Sequence, residues 1–131
     1  MKKTIVVAGI IISNHNVLIG RRKANQALGG YWEFPGGKLE NNESLVECLR
    51  REIQEELGVN AVICDEIFTT FNYEYDGREI ERVAMFANIN EQQIISTAHD
   101  FLAWVKFDDL LTYRLVPSDI SIAQKLIKHH K

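Results

Sequence analysis

Apolar residues run almost unbroken through KTIVVAGIIIS (residues 3–13) and again through NVLIGRR (16–22). Runs of this kind are the mark of strands buried on both faces, and the Asn-His-Asn between them suits a short turn. From residue 43 the period changes. Leu45, Leu49, Ile53 and Leu57 recur every fourth position, which predicts a helix over 43–57 with Asn41 or Asn42 as its cap and Gly58 just past its end. The segment AVICDEIFTTFNYEYDGREIERVAMFANI then alternates and turns at Asp76-Gly77, a hairpin signal. Residues 102–106 (LAWVK) predict a strand and 107–112 a short helical turn. After Val116-Pro117, residues 119–129 predict a closing helix with apolar positions 120, 122, 123, 126 and 127. The stretch KANQALGGYWEFPGGKLENN is a long glycine-rich loop holding a short strand, WEF, and loops of this length in a compact domain usually serve function. Strands interleaved with two main helices predict an α/β domain with a mixed β-sheet, a single unit over residues 1–131.

Composition narrows the partners. With 131 residues, 46% hydrophobic, 25% charged and a net charge of −3, the chain has the profile of an ordinary globular domain. It carries no basic tract, so a duplex nucleic-acid partner is not expected, whereas a single nucleotide needs only a local site. Cys48 and Cys64 form neither a metal-ligand spacing nor a disulfide framework, which predicts a reduced, cytoplasmic chain. The opening MKKTIVVAGIIIS superficially resembles a signal peptide, but no small-residue cleavage site follows and the run leads into a paired strand. No stretch approaches the roughly 20 apolar residues that a membrane span needs. A monomer and a dimer are equally compatible with the sequence.

The 43–57 helix carries the chemistry. At about 100° per residue, with Leu45 at zero, the apolar stripe centres near 70°, and Arg51 at about 240° lies on its polar back. Glu55 falls at about 280°, Glu52 at about 340° and Glu56 at about 20°, so Glu56 sits between Leu45 and Leu49. Half-buried like charges are costly unless they are paired or bind metal. Oxygen-only ligands suit a hard cation, Mg²⁺ or Mn²⁺, and exclude a thiolate-type zinc site. Magnesium usually brings a phosphate-containing substrate, whose non-bridging oxygens it neutralises.

Ahead of the helix, Pro35-Gly36-Gly37 makes a tight turn in which backbone can approach a ligand. Glu43 is expected in the first helical turn, at the positive end of the dipole. Gly37, five residues, Glu43, seven residues, then Arg51-Glu52-Ile53-Gln54-Glu55-Glu56-Leu57-Gly58-Val59 fills every defined position of G-x5-E-x7-R-E-U-x-E-E-x-G-U, where U is a bulky aliphatic. That is the signature of the Nudix hydrolases, and the chain resembles their MutT-like branch throughout, including Arg21-Arg22, WEFPGGK and the ending. The resemblance implies an α/β/α sandwich and Mg²⁺-dependent hydrolysis of nucleoside triphosphates to monophosphate and pyrophosphate. It places Glu52, Glu55, Glu56 and the Gly37 carbonyl on the metal, and pairs Arg51 with Glu43 to fix the helix. It sets Arg22 on the phosphates, Gly36 close to the substrate and Phe34 along the base pocket.

The resemblance has one departure. Where MutT relatives commonly carry Glu-His-Asp, this chain has Ala98-His99-Asp100, so the general base passes to Glu52, with His99 and Asp100 as substitutes. Asp119 resembles the position that reads the base, and Ser118 or Asp119 also suits the cap of the last helix. An accepting carboxylate seeks donors, which guanine and cytosine offer and which argues against uracil or thymine. Tyr73, Tyr75 and Arg78 on the hairpin are further candidates for base contacts. The resemblance therefore implies nucleotide-pool sanitation, a DNA-repair role, with 8-oxo-dGTP as the leading substrate and CTP or a modified dCTP as the alternative. A nucleotide-binding sensor without turnover is the rival of another class.

Overall fold

The computed structural model describes residues 3–90 and 92–130, so the expected domain ends at residues 1 and 131 lie outside the described residues. In chain order the elements are β1 (Lys3–Ser13), β2 (Asn16–Arg22), β3 (Trp32–Glu33), β4 (Gly36–Lys38), α1 (Leu45–Leu57), β5 (Val62–Ile63), β6 (Thr69–Tyr75), β7 (Arg78–Asn88), β8 (His99–Lys106), a 3-10 turn (Phe107–Thr112) and α2 (Pro117–His130). β1 organises the rest. It runs parallel to β7 from Lys3↔Glu79 to Ile11↔Ala87 and antiparallel to β4, with Val7 opposite Gly37. Its last residues turn through Asn14 (φ 50°) and His15 (φ 65°) into β2, the two left-handed positions of a tight hairpin. β2 pairs with β3 and β8, and β7 pairs with β5 and β6.

Strand alternation sends Val7 and Ile11 to one face and Ala8 and Ile10 to the other. The first face packs against Leu49, Ile53 and Leu57 of α1, with Val83 and Met85. The second packs against Ile122, Ala123 and Leu126 of α2, with Phe34 and Leu110. A mixed sheet between two helices is the expected α/β/α sandwich. Gly9 allows α1 to approach, since a Cβ there would meet Leu49 at 3.2 Å and Ile53 at 3.4 Å. Among the described residues no helix is long and apolar enough to cross a membrane. Cys48 and Cys64 are both free thiols.

Four expectations about elements need correction. The cap of α1 is Ser44 rather than Asn41 or Asn42: Ser44 Oγ accepts from Glu47 N while the Glu47 carboxylate accepts from Ser44 N. This reciprocal capping box satisfies two amides that a lone Asn would not, and it leaves Glu43 ahead of the helix rather than in its first turn. β8 begins at His99 instead of residue 102, because β2 pairs with it that far, across a bulge at Arg21/Arg22. α2 begins at Pro117, a residue suited to a first helical position, so neither Ser118 nor Asp119 is its cap. Ile120 is exposed and Asp119 takes the buried position beside Ile122 and Ala123.

Candidate active site

α1 presents its carboxylates around one guanidinium. Arg51 Nε donates to Glu43 Oε2 at 2.6 Å and Nη2 to Glu43 Oε1 at 3.0 Å, a two-pronged pair. Nη1 donates to Glu52 at 2.9 Å and to Glu55 at 3.0 Å, and Nη2 also reaches the Lys38 carbonyl at 3.2 Å. Arg51 thus ties the loop before the helix to two of its carboxylates. The Glu43 hydrogen bonds hold the guanidinium charged, and the same bonds keep the Glu43 carboxyl below its ordinary range.

Glu56 is in a different position. Burial, and then a hydrogen bond and charge from Glu52, push its carboxyl up to about 9, with the Glu33 charge adding to the effect and a Gly36 backbone hydrogen bond opposing it. Two carboxylates in contact cannot both remain ionised without a cation. Glu52 lies under Gly37, where a Cβ would fall 2.4–2.6 Å from its carboxylate atoms. The bare glycine leaves room for that group. A hard divalent cation fits this donor set of two contacting carboxylates beside an open backbone turn. Glu55 is half exposed and its carboxylate is turned to Arg51. Among the described residues no three His, Cys, Asp or Glu side chains therefore stand in ligating geometry. The structure brings Glu52 and Glu56 together and places Glu55 beside Glu52 on the shared Arg51 guanidinium.

A cleft of about 650 Å³ opens beside this cluster, lined by Arg22, Glu33, Tyr73, Tyr75 and Arg82 among others. Glu33 connects the two regions, because it lines the cleft and its charge is felt at Glu56. It accepts from Arg22 Nη1 at 3.0 Å and pairs with His99 Nε2 at 2.9 Å. Burial works against its ionisation, yet the His99 and Arg22 hydrogen bonds outweigh that and hold the carboxyl below its ordinary value. Arg22 Nε donates to the Ala27 carbonyl at 2.7 Å, so the guanidinium is held by two residues that line the cleft with it, Ala27 and Glu33.

Several expected residues stand elsewhere. Gly36 has φ 153° and a Cβ there would strike the Val7 carbonyl, so its demand is close approach to β1. Phe34 is buried on the α2 side and does not line the cleft, although its amide donates to Asp119 at 2.9 Å. Arg78 is exposed at the hairpin end opposite Tyr75 and does not itself line the cleft, as Tyr73 and Tyr75 do. Asp119 has no exposed surface: Oδ1 accepts from Arg82 Nη2 at 2.6 Å and Nε at 3.1 Å, and Oδ2 from Phe34 N. Of the substitutes for the missing glutamate, His99 is buried on Glu33, and Asp100 is held by Arg21 at 2.9 Å beside Trp32 and Phe101.

Glu33 and Arg82 escape the sequence reading. Arg82 does carry a signal: it lies in phase with Ile80, Ala84 and Phe86 along β7, and a charge in the apolar phase of a strand implies a buried partner.

The chain belongs to the Nudix hydrolase family: residues 3–126 match the NUDIX domain, and the homologues are named diphosphatases and pyrophosphohydrolases. The CTP pyrophosphohydrolase of Escherichia coli K12 is 35% identical over 124 residues, 95% of this chain and 91% of its own. An 8-oxo-dGTP diphosphatase of Proteus vulgaris is 42% identical over 80 residues, 60% of this chain and 70% of its own. The solution structure of the E. coli ORF135 protein superposes with a TM-score of 0.87 at 32% identity, covering 99% of this chain and 92% of that one.

Proposed function

We propose that the protein hydrolyses a nucleoside triphosphate to the monophosphate and pyrophosphate with Mg²⁺, Mn²⁺ serving as a substitute, and so removes unwanted nucleotides from the precursor pool. The observation that carries this reading is the Glu52–Glu56 contact, held from one side by Arg51 and adjoining a cleft that Arg22 lines. Glu52, Glu55, Glu56 and the Gly37 carbonyl would hold the cation. Such a cation neutralises non-bridging phosphate oxygens and acidifies a water. Arg22, steadied by Glu33 and Ala27, presents its remaining N–H groups to the phosphates. Glu52 orients the attacking water and takes its proton. The base enters the cleft between Tyr73, Tyr75 and Leu28. The relatives' names bring two base classes to this site, 8-oxoguanine and cytosine.

Product analysis tests the reading. With Mg²⁺ and a panel of ordinary and oxidised triphosphates, we expect equal amounts of monophosphate and pyrophosphate. Release of orthophosphate alone overturns the assignment, and tight binding without products supports the sensor that Ala98 raises. Gly37→Ala checks the metal cradle. The added Cβ displaces the Glu52 carboxylate, and a misplacement of about 1 Å can cost on the order of 100-fold in rate. Since Gly37 has an ordinary φ, the melting temperature should hold to within a few degrees while kcat falls.

A further inference from the structure

The carboxylate expected to read the base is not available to it. Asp119 is wholly buried and receives hydrogen bonds from Arg82 Nε, Arg82 Nη2 and Phe34 N. The polar group that faces the cleft from this pair is Arg82 itself, which lines it. A guanidinium has five N–H groups. Two are on Asp119, which leaves three, and Nη1 donates to none of the described residues. β7 fixes this side chain from behind, since Arg82 sits between Val6 of β1 and Phe71 of β6 in the sheet. Val6 and Phe71 both line the cleft.

We infer that Arg82, held rigid by Asp119, is the specificity-determining residue of the cleft and selects a base with two adjacent hydrogen-bond acceptors on one edge. This deepens the nucleotide reading above and rests on it. It also reverses the donor-seeking logic of a free Asp119. A planar fork of N–H groups matches a pair of acceptors in one geometry, which is why arginine pairs with the O6/N7 edge of guanine. Cytosine offers the same chemistry at O2/N3. Uracil and thymine carry N3–H between their carbonyls, so a donor would meet a donor. In its usual keto form 8-oxoguanine carries a hydrogen on N7 and loses the guanine pair in the same way. The site is therefore matched to cytosine or unmodified guanine nucleotides and mismatched to 8-oxo-dGTP.

Substrate analogues on the unaltered protein separate the possibilities. With Mg²⁺, kcat/KM is measured for CTP, its 3-deaza analogue lacking the N3 acceptor, and the 4-deamino analogue that keeps O2 and N3 but lacks the amino donors. GTP and 7-deaza-GTP form the guanine arm. A loss of about tenfold or more on removing N3 or N7, with the 4-deamino compound retained within a few-fold, supports the assignment and tells cytosine from guanine. Retention of both deaza analogues, or a loss confined to the 4-deamino one, overturns it. If no triphosphate is hydrolysed, the pyrophosphohydrolase reading fails, and calorimetric affinities of the same analogues with Mg²⁺ still decide the role of Arg82 by the same criteria. Removing Arg82 alone would strand a buried carboxylate, so the protein test is the neutral pair Arg82→Gln/Asp119→Asn. Its CTP-over-UTP or GTP-over-8-oxo-GTP preference should fall about tenfold or more, and an unchanged preference overturns the proposal.

Discussion

Glu56→Gln should lower kcat by about 100- to 1000-fold, because several kcal/mol of metal-centred charge stabilisation is lost and each 1.36 kcal/mol is a factor of ten. The fold should survive, and the metal-free protein gives an independent reason. Burial and the neighbouring Glu52 raise the Glu56 carboxyl to about 9, so without a cation the native state favours the protonated group. The folded value lies above the unfolded one, near 4.5. The stability from holding that proton is thus fully present below about pH 4.5 and is lost as pH rises towards 9. A neutral amide imitates the protonated carboxyl. In EDTA the variant should therefore match the parent in acid and exceed it in melting temperature near pH 9. Mg²⁺ should raise the parent's melting temperature more as pH rises, since binding must displace the proton. Near-normal turnover, or a parent whose metal-free stability does not fall with pH, would remove Glu56 from the metal site.

What the sequence disclosed divides by the range of the interaction. The helical wheel depends only on local geometry, and it set Glu52 and Glu56 nearer the apolar stripe than Glu55, as the structure does: the first two are part-buried and Glu55 is half exposed. The same local logic identified both tight hairpin turns, Asn14-His15 and Asp76-Gly77, whose residues all have positive φ. The capping box was legible too, since Ser44 and Glu47 have the required spacing, but two asparagines just upstream drew attention to the wrong cap. Asp119 is the instructive failure. From α2 alone it is a good polar residue for a helix start. Its burial is decided by Arg82, 37 positions away on another element, and no local pattern links them. Glu33 was hidden for the same reason, because its partners Arg22 and His99 come from two further strands.

Arg51→Met should reduce both stability and rate, and for separable reasons. The guanidinium bridges Glu43, Glu52 and Glu55, so removing it deletes the pair to Glu43 and leaves the helix carboxylates to repel one another. Hydrogen bonds to charged groups contribute about 1.5–3 kcal/mol when well shielded. The site is about a quarter exposed on the arginine side, 27%, so screening limits the loss to about 2 kcal/mol. For a domain of this size that is a drop of several degrees in melting temperature. On catalysis, residues that orient ligands from behind typically cost about 10- to 100-fold. Mg²⁺ should recover part of the stability by neutralising the same carboxylates, but not the rate, because the cation does not restore the tie between Glu43 and Glu52. Glu43→Gln separates the two roles, since it weakens the loop-to-helix tie while leaving Arg51 on Glu52 and Glu55. If Arg51 acts by linking Glu43 to the metal carboxylates, Glu43→Gln and Arg51→Met combined should cost little more than Arg51→Met alone. Simple addition of the two losses would mean that Arg51 supports Glu52 without Glu43, and that the glutamate at the head of the signature serves only its own loop.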